Sequence, residues 1–174
     1  GLKLIYNDVR KFGFIKLLKS QNIYECSHLK FLGPEPLSKN FNENYINNYF
    51  LNKQIKIKNL LMNQKFIAGL GNIYCNEILF LCKINPNRIA KKISNQEASK
   101  IVKYTKKILK KSISQGGSSI KDFSSTEGES GKFQQSFNVY NRGKRKCKTK
   151  KCSGIIKKIS ISGRSSFFCL RCQK

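Results

Sequence analysis

The sequence predicts a mainly α-helical domain followed by a small β-hairpin module, with two short strands ahead of both. Three observations predict it: apolar residues at helical spacing through the middle of the chain, two close cysteine pairs near its end, and two β-prone runs at its beginning. The 174 residues carry 35 Lys and Arg against 9 Asp and Glu, a formal charge of +26, with a pI near 10.0. Such an imbalance points to a polyanionic partner. Hydrophobic residues make up 39% and aromatics 11%, enough apolar surface to fold, which excludes a disordered basic tail. No apolar run reaches the roughly eighteen residues of a membrane span, and charges scattered through the first part of the chain exclude a secretory core. The chain reads as intracellular.

Residues 2–6 and 12–18 are the two β-prone runs, set around a polar turn at Asn7 and Asp8. A pair of strands alone is marginal, so their position next to Gly1 predicts that the chain starts inside a sheet whose other strands lie outside it. Gly33-Pro34-Glu35-Pro36 then breaks any regular element. Asn42 can cap a helix over residues 43–51, in which Tyr45, Ile46, Tyr49 and Phe50 recur at helical spacing. Further helices are expected over residues 56–64 and 73–83. The clearest begins at the capping box Ser94-Asn95-Gln96-Glu97 and runs to Gly116, with Ile101, Val102, Thr105, Ile108, Leu109 and Ile113 on one face. Its other face holds Lys100, Lys103, Lys106, Lys107, Lys110 and Lys111. A solvated charged face explains these lysines, and they add long-range attraction to a nucleic acid. The glycine- and serine-rich stretch 114–132 is too long for a simple connection and marks a functional or disordered loop.

Four of the seven cysteines form Cys147-x4-Cys152 and Cys169-x2-Cys172. Thiolates from two close pairs can converge on a tetrahedral zinc ion, and the β-type residues 154–168 between them suit a hairpin that carries both pairs. Four thiolates leave no position for a substrate or water, so the metal is expected to be structural. Lys157, Lys158 and Arg164 would present positive charge on that support for phosphate contact. Arg164 at the hairpin tip could enter DNA or hold its backbone. The segment Phe66-Ile67-Ala68-Gly69-Leu70-Gly71-Asn72-Ile73-Tyr74 offers two glycines for a close phosphate approach and Asn72 as a cap for the helix from Ile73. A turn between two core helices is an equally good reading of it.

Residues 33–38 (GPEPLS), 64–80 (QKFIAGLGNIYCNEILF), 116–123 (GGSSIKDF), 128–140 (GESGKFQQSFNVY) and 163–174 (GRSSFFCLRCQK) resemble, in order and spacing, the C-terminal part of bacterial formamidopyrimidine-DNA glycosylases. The resemblance implies three parts. Residues 1–32 would be the end of a truncated β-sandwich catalytic domain with its linker. Residues 33–132 would be a helix-two-turn-helix DNA-binding domain with a lesion-recognition loop over 116–132, and residues 133–174 a four-cysteine zinc finger. It also implies roles. Lys53, Lys58, Asn72, Tyr140 and Arg164 would contact DNA phosphates, Arg164 also giving the proton for δ-elimination. Arg10 would face the orphaned cytosine, Phe12 would wedge the stack, and Lys11 would add a basic contact. Ser118, Ser119 and Lys121 would belong to the loop that closes over a flipped 8-oxoguanine.

The implied function is base-excision repair: removal of oxidised purines by a bifunctional glycosylase and abasic-site lyase through β,δ-elimination. Damaged duplex DNA would be the partner and one structural zinc the cofactor, in a monomeric, cytoplasmic, nucleoid-associated bacterial protein without a membrane anchor. Three departures stand out. The family nucleophile is an N-terminal proline followed by glutamate, whereas this chain begins Gly1-Leu2-Lys3, so by itself it is expected not to catalyse. Gln54 stands where a basic residue is usual, with Lys53 adjoining it, and the first cysteine pair is wider than the common two-residue spacing. A non-catalytic ribosomal or architectural zinc protein explains charge, zinc and helices but not the ordered motif blocks. The oxidised-pyrimidine branch of the family shares fold and finger, and GGSSIKDF followed by GESGKFQ favours the purine branch.

Overall fold

The structure is a computed structural model that describes residues 1–8, 11–118 and 131–174. It divides into two compact units, Gly1–Phe31 and Leu32–Lys174. Among its described residues the first unit has one 3-10 helix, Ser20–Glu25, and no strand. The strands expected over residues 2–6 and 12–18 are thus not formed. A strand needs a neighbour to take its backbone groups, and these runs have none, with Leu2, Leu4, Ile5, Phe12, Phe14 and Leu17 all exposed. Local contacts order the unit instead: Gly13 N donates to Asp8 Oδ2 at 2.6 Å and the Phe14 ring meets His28 at 4.6 Å.

The second unit begins with Gly33, whose N–H donates to Gln64 O at 2.8 Å, while Ala68 N donates to Pro34 O. Helix α1 spans Glu43–Phe50 and starts where Asn42 accepts a hydrogen bond from Tyr45 N at 2.9 Å. Ile46 and Phe50 are buried, and Tyr45 and Tyr49 pack against the core. Helix α2, Ile57–Leu61, is shorter than the expected 56–64. Asn63 ends it: its side chain accepts from Lys65 N, and its carbonyl accepts from Phe66 N and Ile67 N, turning the chain. The turn delivers Phe66 into the core, where it meets Phe41, Tyr45, Tyr49 and Phe50 at centroid distances of 4.7 to 6.4 Å.

Helix α3, Asn72–Cys82, is buried from Cys75 to Phe80 and forms the centre of the unit. Its N-cap is Gly71, so Asn72 is the first helical residue and its side chain is not a cap. Helix α4, Asn95–Ser114, starts with the capping box in full: Ser94 Oγ accepts from Glu97 N and Glu97 accepts from Ser94 N. Its buried stripe is Ala98, Ile101, Thr105, Ile108 and Ser112. Ile113, expected on this face, is 67% exposed, and Ser112 takes the inward position through a 2.7 Å bond with Tyr74 Oη.

Strands β1 (Ile156–Ile161) and β2 (Arg164–Cys169) pair antiparallel from Ile156↔Cys169 to Ile161↔Arg164. Ser162 at φ 48 and Gly163 at φ 74 form the two-residue turn between them. Positive φ at both positions is what the right-handed twist of a tight hairpin demands. Phe80, Val139, Ile156, Phe167 and Cys169 make a second core cluster, so the hairpin is packed on α3. No helix of the described residues is long and apolar enough to cross a membrane.

Candidate nucleic-acid interface and metal centre

Cys147, Cys152, Cys169 and Cys172 converge at the end of the hairpin opposite its turn, their four Sγ atoms within 4.8 Å of one another. Cys147 to Cys172 is 3.7 Å, Cys152 to Cys169 is 3.8 Å and Cys152 to Cys172 is 3.3 Å. Zinc–sulfur bonds of about 2.3 Å in a tetrahedron place sulfurs roughly 3.8 Å apart, so the cluster fits the ion closely. Backbone N–H groups of Thr149 and Gly154 point at Cys147 Sγ and Cys152 Sγ, each at 3.4 Å, as supporting donors to thiolates do. Gly154 is needed here, since a Cβ would stand 2.6 Å from Cys169 Sγ. Burial pushes the Cys147 thiol up, but hydrogen bonds from Thr149 and from the neighbouring thiols outweigh it and bring it to about 7. Burial and the adjoining sulfurs push Cys172 up to about 12. The wider first pair does not spoil the site. Lys151 at φ 61 absorbs the extra length as a left-handed turn residue.

Around the hairpin turn lies a second constellation. Lys58, with no exposed surface, donates from Nζ to Ser165 O at 2.9 Å and to Ser166 Oγ at 2.5 Å. Asn72 Nδ2 donates to the same Ser165 O at 3.1 Å. Asn59 Nδ2 donates to Ser162 Oγ at 2.9 Å, and Asn76 Oδ1 accepts from Phe167 N at 2.7 Å. Three polar residues of α2 and α3 therefore clamp the strand that starts with exposed Arg164, and Asn59 holds the turn before it. Burial, opposed by Cys75 and reinforced by the charge of Arg164, holds the Lys58 ammonium down at about 8.

A third feature is the buried carboxylate of Glu77, 1% exposed. Its Oε2 accepts from Asn138 N and Nδ2, and its Oε1 from Val139 N and Tyr140 N, at 2.8 to 2.9 Å. Four donors satisfy the charge without a cation. The clamp fixes Tyr140, whose ring stands edge-on between Phe137 at 5.5 Å and Phe167 at 5.3 Å. Sequence reading missed Asn59, Asn76 and Glu77. The last two had a signal: polar residues in the middle of the apolar run NIYCNEILFLC need buried partners.

Of the expected DNA contacts, Lys58, Asn72 and Arg164 come together, with Tyr140 on the same hairpin through Phe167. Lys53 does not join them: its Nζ lies 4.9 Å over the Tyr49 ring at the end of α1. Lys11, at φ 55, and Phe12 are exposed in the first unit. Ser118 bridges to Lys132 at the base of the long loop, with its buried Oγ lacking a hydrogen-bond partner among the described residues. Arg10, Ser119 and Lys121 lie outside the described residues.

Comparison with known proteins agrees with this geometry. The family profile described as Formamidopyrimidine-DNA glycosylase H2TH domain matches residues 32–124, and that described as Zinc finger found in FPG and IleRS matches residues 146–174. The four-cysteine centre is accordingly a structural zinc site. The chain is 42% identical over 172 residues to the formamidopyrimidine-DNA glycosylase of Roseobacter denitrificans, covering 99% of this chain and 61% of that protein. With the same enzyme of Bartonella quintana, identity is 44% over 177 residues, covering 98% and 60%. The Lactococcus lactis enzyme in complex with abasic-site DNA superimposes with a TM-score of 0.87 at 36% identity, over 96% of this chain and 60% of that one. The Thermus thermophilus protein gives 0.80 at 32%, over 87% and 57%. The chain thus spans about 60% of the length of the relatives it matches. With its helical match covering residues 32–124 and a four-thiolate hairpin clamped onto those helices, the chain belongs to the formamidopyrimidine-DNA glycosylase family.

Proposed function

We propose that this chain is the damage-binding portion of a bifunctional DNA glycosylase and abasic-site lyase that removes oxidised purines in base-excision repair. The observation that carries the reading is the clamp on the hairpin turn. Buried Lys58 and half-buried Asn72 hold Ser165 O, so that Arg164 next to it is exposed on a rigid support. A guanidinium held in this way can donate to a phosphate oxygen at a fixed place and, being adjacent to the backbone break, can protonate the leaving phosphate of the δ-elimination. Tyr140 would add a phosphate contact, while Lys58 and Asn72, expected at phosphates themselves, would serve the cradle by holding Ser165 O beside Arg164. Lys53 would be a further DNA contact, Arg10 would face the orphaned cytosine, Phe12 would wedge the stack and Lys11 would add a basic contact.

In this reading residues 33–132 form the helix-two-turn-helix domain and 133–174 the finger, with Ser118, Ser119 and Lys121 in the loop over the extruded base. The protein acts as a monomer on damaged duplex DNA in the bacterial cytoplasm. The 174-residue chain alone is expected to bind damage without excising it.

Arg164→Ala tests the assignment. It should weaken binding to a duplex with an abasic-site analogue about tenfold or more, the loss of roughly 1.5–3 kcal/mol for a charge-assisted hydrogen bond. In the full-length enzyme it should leave β-elimination product to accumulate at the expense of δ-elimination. Unchanged affinity and product ratio would remove Arg164 from both roles.

A further inference from the structure

Residues 131–174 contain 13 Lys and Arg and no Asp or Glu, and seven of those cations fall within residues 142–151. Two of the seven are committed to the fold. Arg142 donates to Asn138 O at 2.5 Å and Lys146 O at 3.1 Å, and Lys148 Nζ donates to Phe137 O at 2.7 Å. The other five, Lys144, Arg145, Lys146, Lys150 and Lys151, are exposed. Among the described residues no carboxylate forms an ion pair with them. Glu77 is buried and occupied by four donors, and the ion pair among the described residues, Arg88 with Glu97, lies on other elements. Lys144 at φ 66 and Lys151 at φ 61 occupy left-handed positions where glycine or asparagine would fit at lower cost.

This loop sits at the metal end of the hairpin. Lys144 N donates to Ile156 O at 2.8 Å and Lys146 bridges to Ile155, whereas Arg164 is paired with Ile161 at the other end. Five residue steps of about 3.4 Å separate the two ends by roughly 17 Å, so the loop is a surface of its own. It continues onto α4. Lys148 Nζ reaches back to Phe137 O, between Ser136 and Asn138. Lys107 and Lys111 line a cavity of about 160 Å³ with Ser136 and Asn138.

We propose that the loop over residues 142–151, together with Lys107 and Lys111, is a second phosphate-binding surface for duplex DNA, separate from the Arg164 face. The inference rests on the DNA-binding reading above. Duplex is favoured over single strands because residues 141–152 contain no aromatic side chain on which a base could stack. Loop cations without stacking partners suit sequence-independent backbone contact, and Tyr104, which lines the cavity beside Lys107 and Lys111, is half-buried. The phosphates can come from the flanking arm of the duplex bound at Arg164 or from a second duplex.

The test uses the zinc-loaded 174-residue chain and the variant Lys144→Asn/Arg145→Gln/Lys150→Gln. Binding is measured against salt on undamaged duplexes of about one and about three helical turns. Each lost phosphate contact should reduce the slope of log K on log salt by about 0.9, or about 2.7 for three. The preference for an abasic-site analogue should stay within twofold of wild type. A change confined to the longer duplex assigns the surface to the flanking arm. A change on both, with loss of capture of a second labelled duplex by an immobilised one, assigns it to a second duplex. Lys107→Gln/Lys111→Gln, away from the zinc ligands, should lower the slope as well, and serves should the loop variant lose its metal. Unchanged slopes in both variants overturn the proposal. A wild-type chain that binds no duplex overturns the DNA-binding reading itself, a different result.

Discussion

Lys58 shows how a single buried cation can serve an exposed one. Its ammonium has no solvent surface and gives its hydrogen bonds to Ser165 O and Ser166 Oγ. Without Lys58, Ser165 O would keep the bond from Asn72 Nδ2, while Ser166 Oγ would lose the Lys58 donor. Lys58→Met keeps the stem and removes the donors, so it should destabilise the folded chain by about 1–3 kcal/mol in denaturant unfolding. Lesion affinity should fall with it, because the position of Arg164 depends on this clamp. Asn72 was legible in the sequence as a polar residue beside a glycine turn, and Lys58 only through the family resemblance. Their partner was not, because Ser165 lies 93 residues beyond Asn72 and no local pattern encodes a contact of that range. Glu77 is the converse case: its burial could be suspected from the apolar run around it, but its four donors are backbone and side-chain groups of residues 138–140 that only the fold brings there.

At the scale of elements, local chemistry decided most boundaries. The capping box at Ser94 was readable because its two partners are three residues apart, and α4 begins where it says. Glu97 also pairs with Arg88. Burial works to raise its carboxyl, but hydrogen bonds from Arg88 and Ser94 and the Arg88 charge prevail and hold it below the usual carboxylate value. A lowered folded value means the stabilisation is complete above the unfolded value, near 4.3, and is lost as pH falls through the folded one. Glu97→Gln keeps the capping-box bond and loses the charge facing Arg88, so it should be less stable than wild type at pH 7 by about 0.2–1 kcal/mol, and the two should converge near pH 3. A constant difference across that range would contradict the role.

Helix α2 ended early because Asn63 turns the chain, a signal weaker than the apolar pattern that continues past it. The two runs in residues 1–18 read as strands because β-propensity reports side chains suited to a sheet, while a strand also needs a neighbour's backbone. The finger was legible from its cysteine spacing, and it carries a prediction of its own. A strong chelator should unfold the hairpin, since metal binding and folding are coupled at four-thiolate sites. It should also release the Lys58 and Asn76 contacts that hold β2 on the helices. Far-UV circular dichroism and amide exchange at Phe167 report this, and full protection of that amide in chelator would contradict it.

For the whole molecule, charge and clamp act together. A net +26 gives attraction to any polyanion and falls steeply with salt. In the proposed reading, discrimination of damage needs more: side chains held in place by the networks of Lys58, Asn72 and Glu77. Composition revealed the attraction, and the ordered motif blocks revealed the family. The structure adds how the helices and the zinc hairpin are locked into one unit, Leu32–Lys174. The most direct test of damage recognition is the ratio of affinities of the zinc-loaded chain for a duplex with an abasic-site analogue and for the same duplex undamaged, followed across a range of salt. The account predicts tighter binding to the abasic duplex, with the preference persisting as salt weakens both. Equal affinity at every salt concentration would contradict it and leave a basic zinc protein that holds DNA without regard to damage.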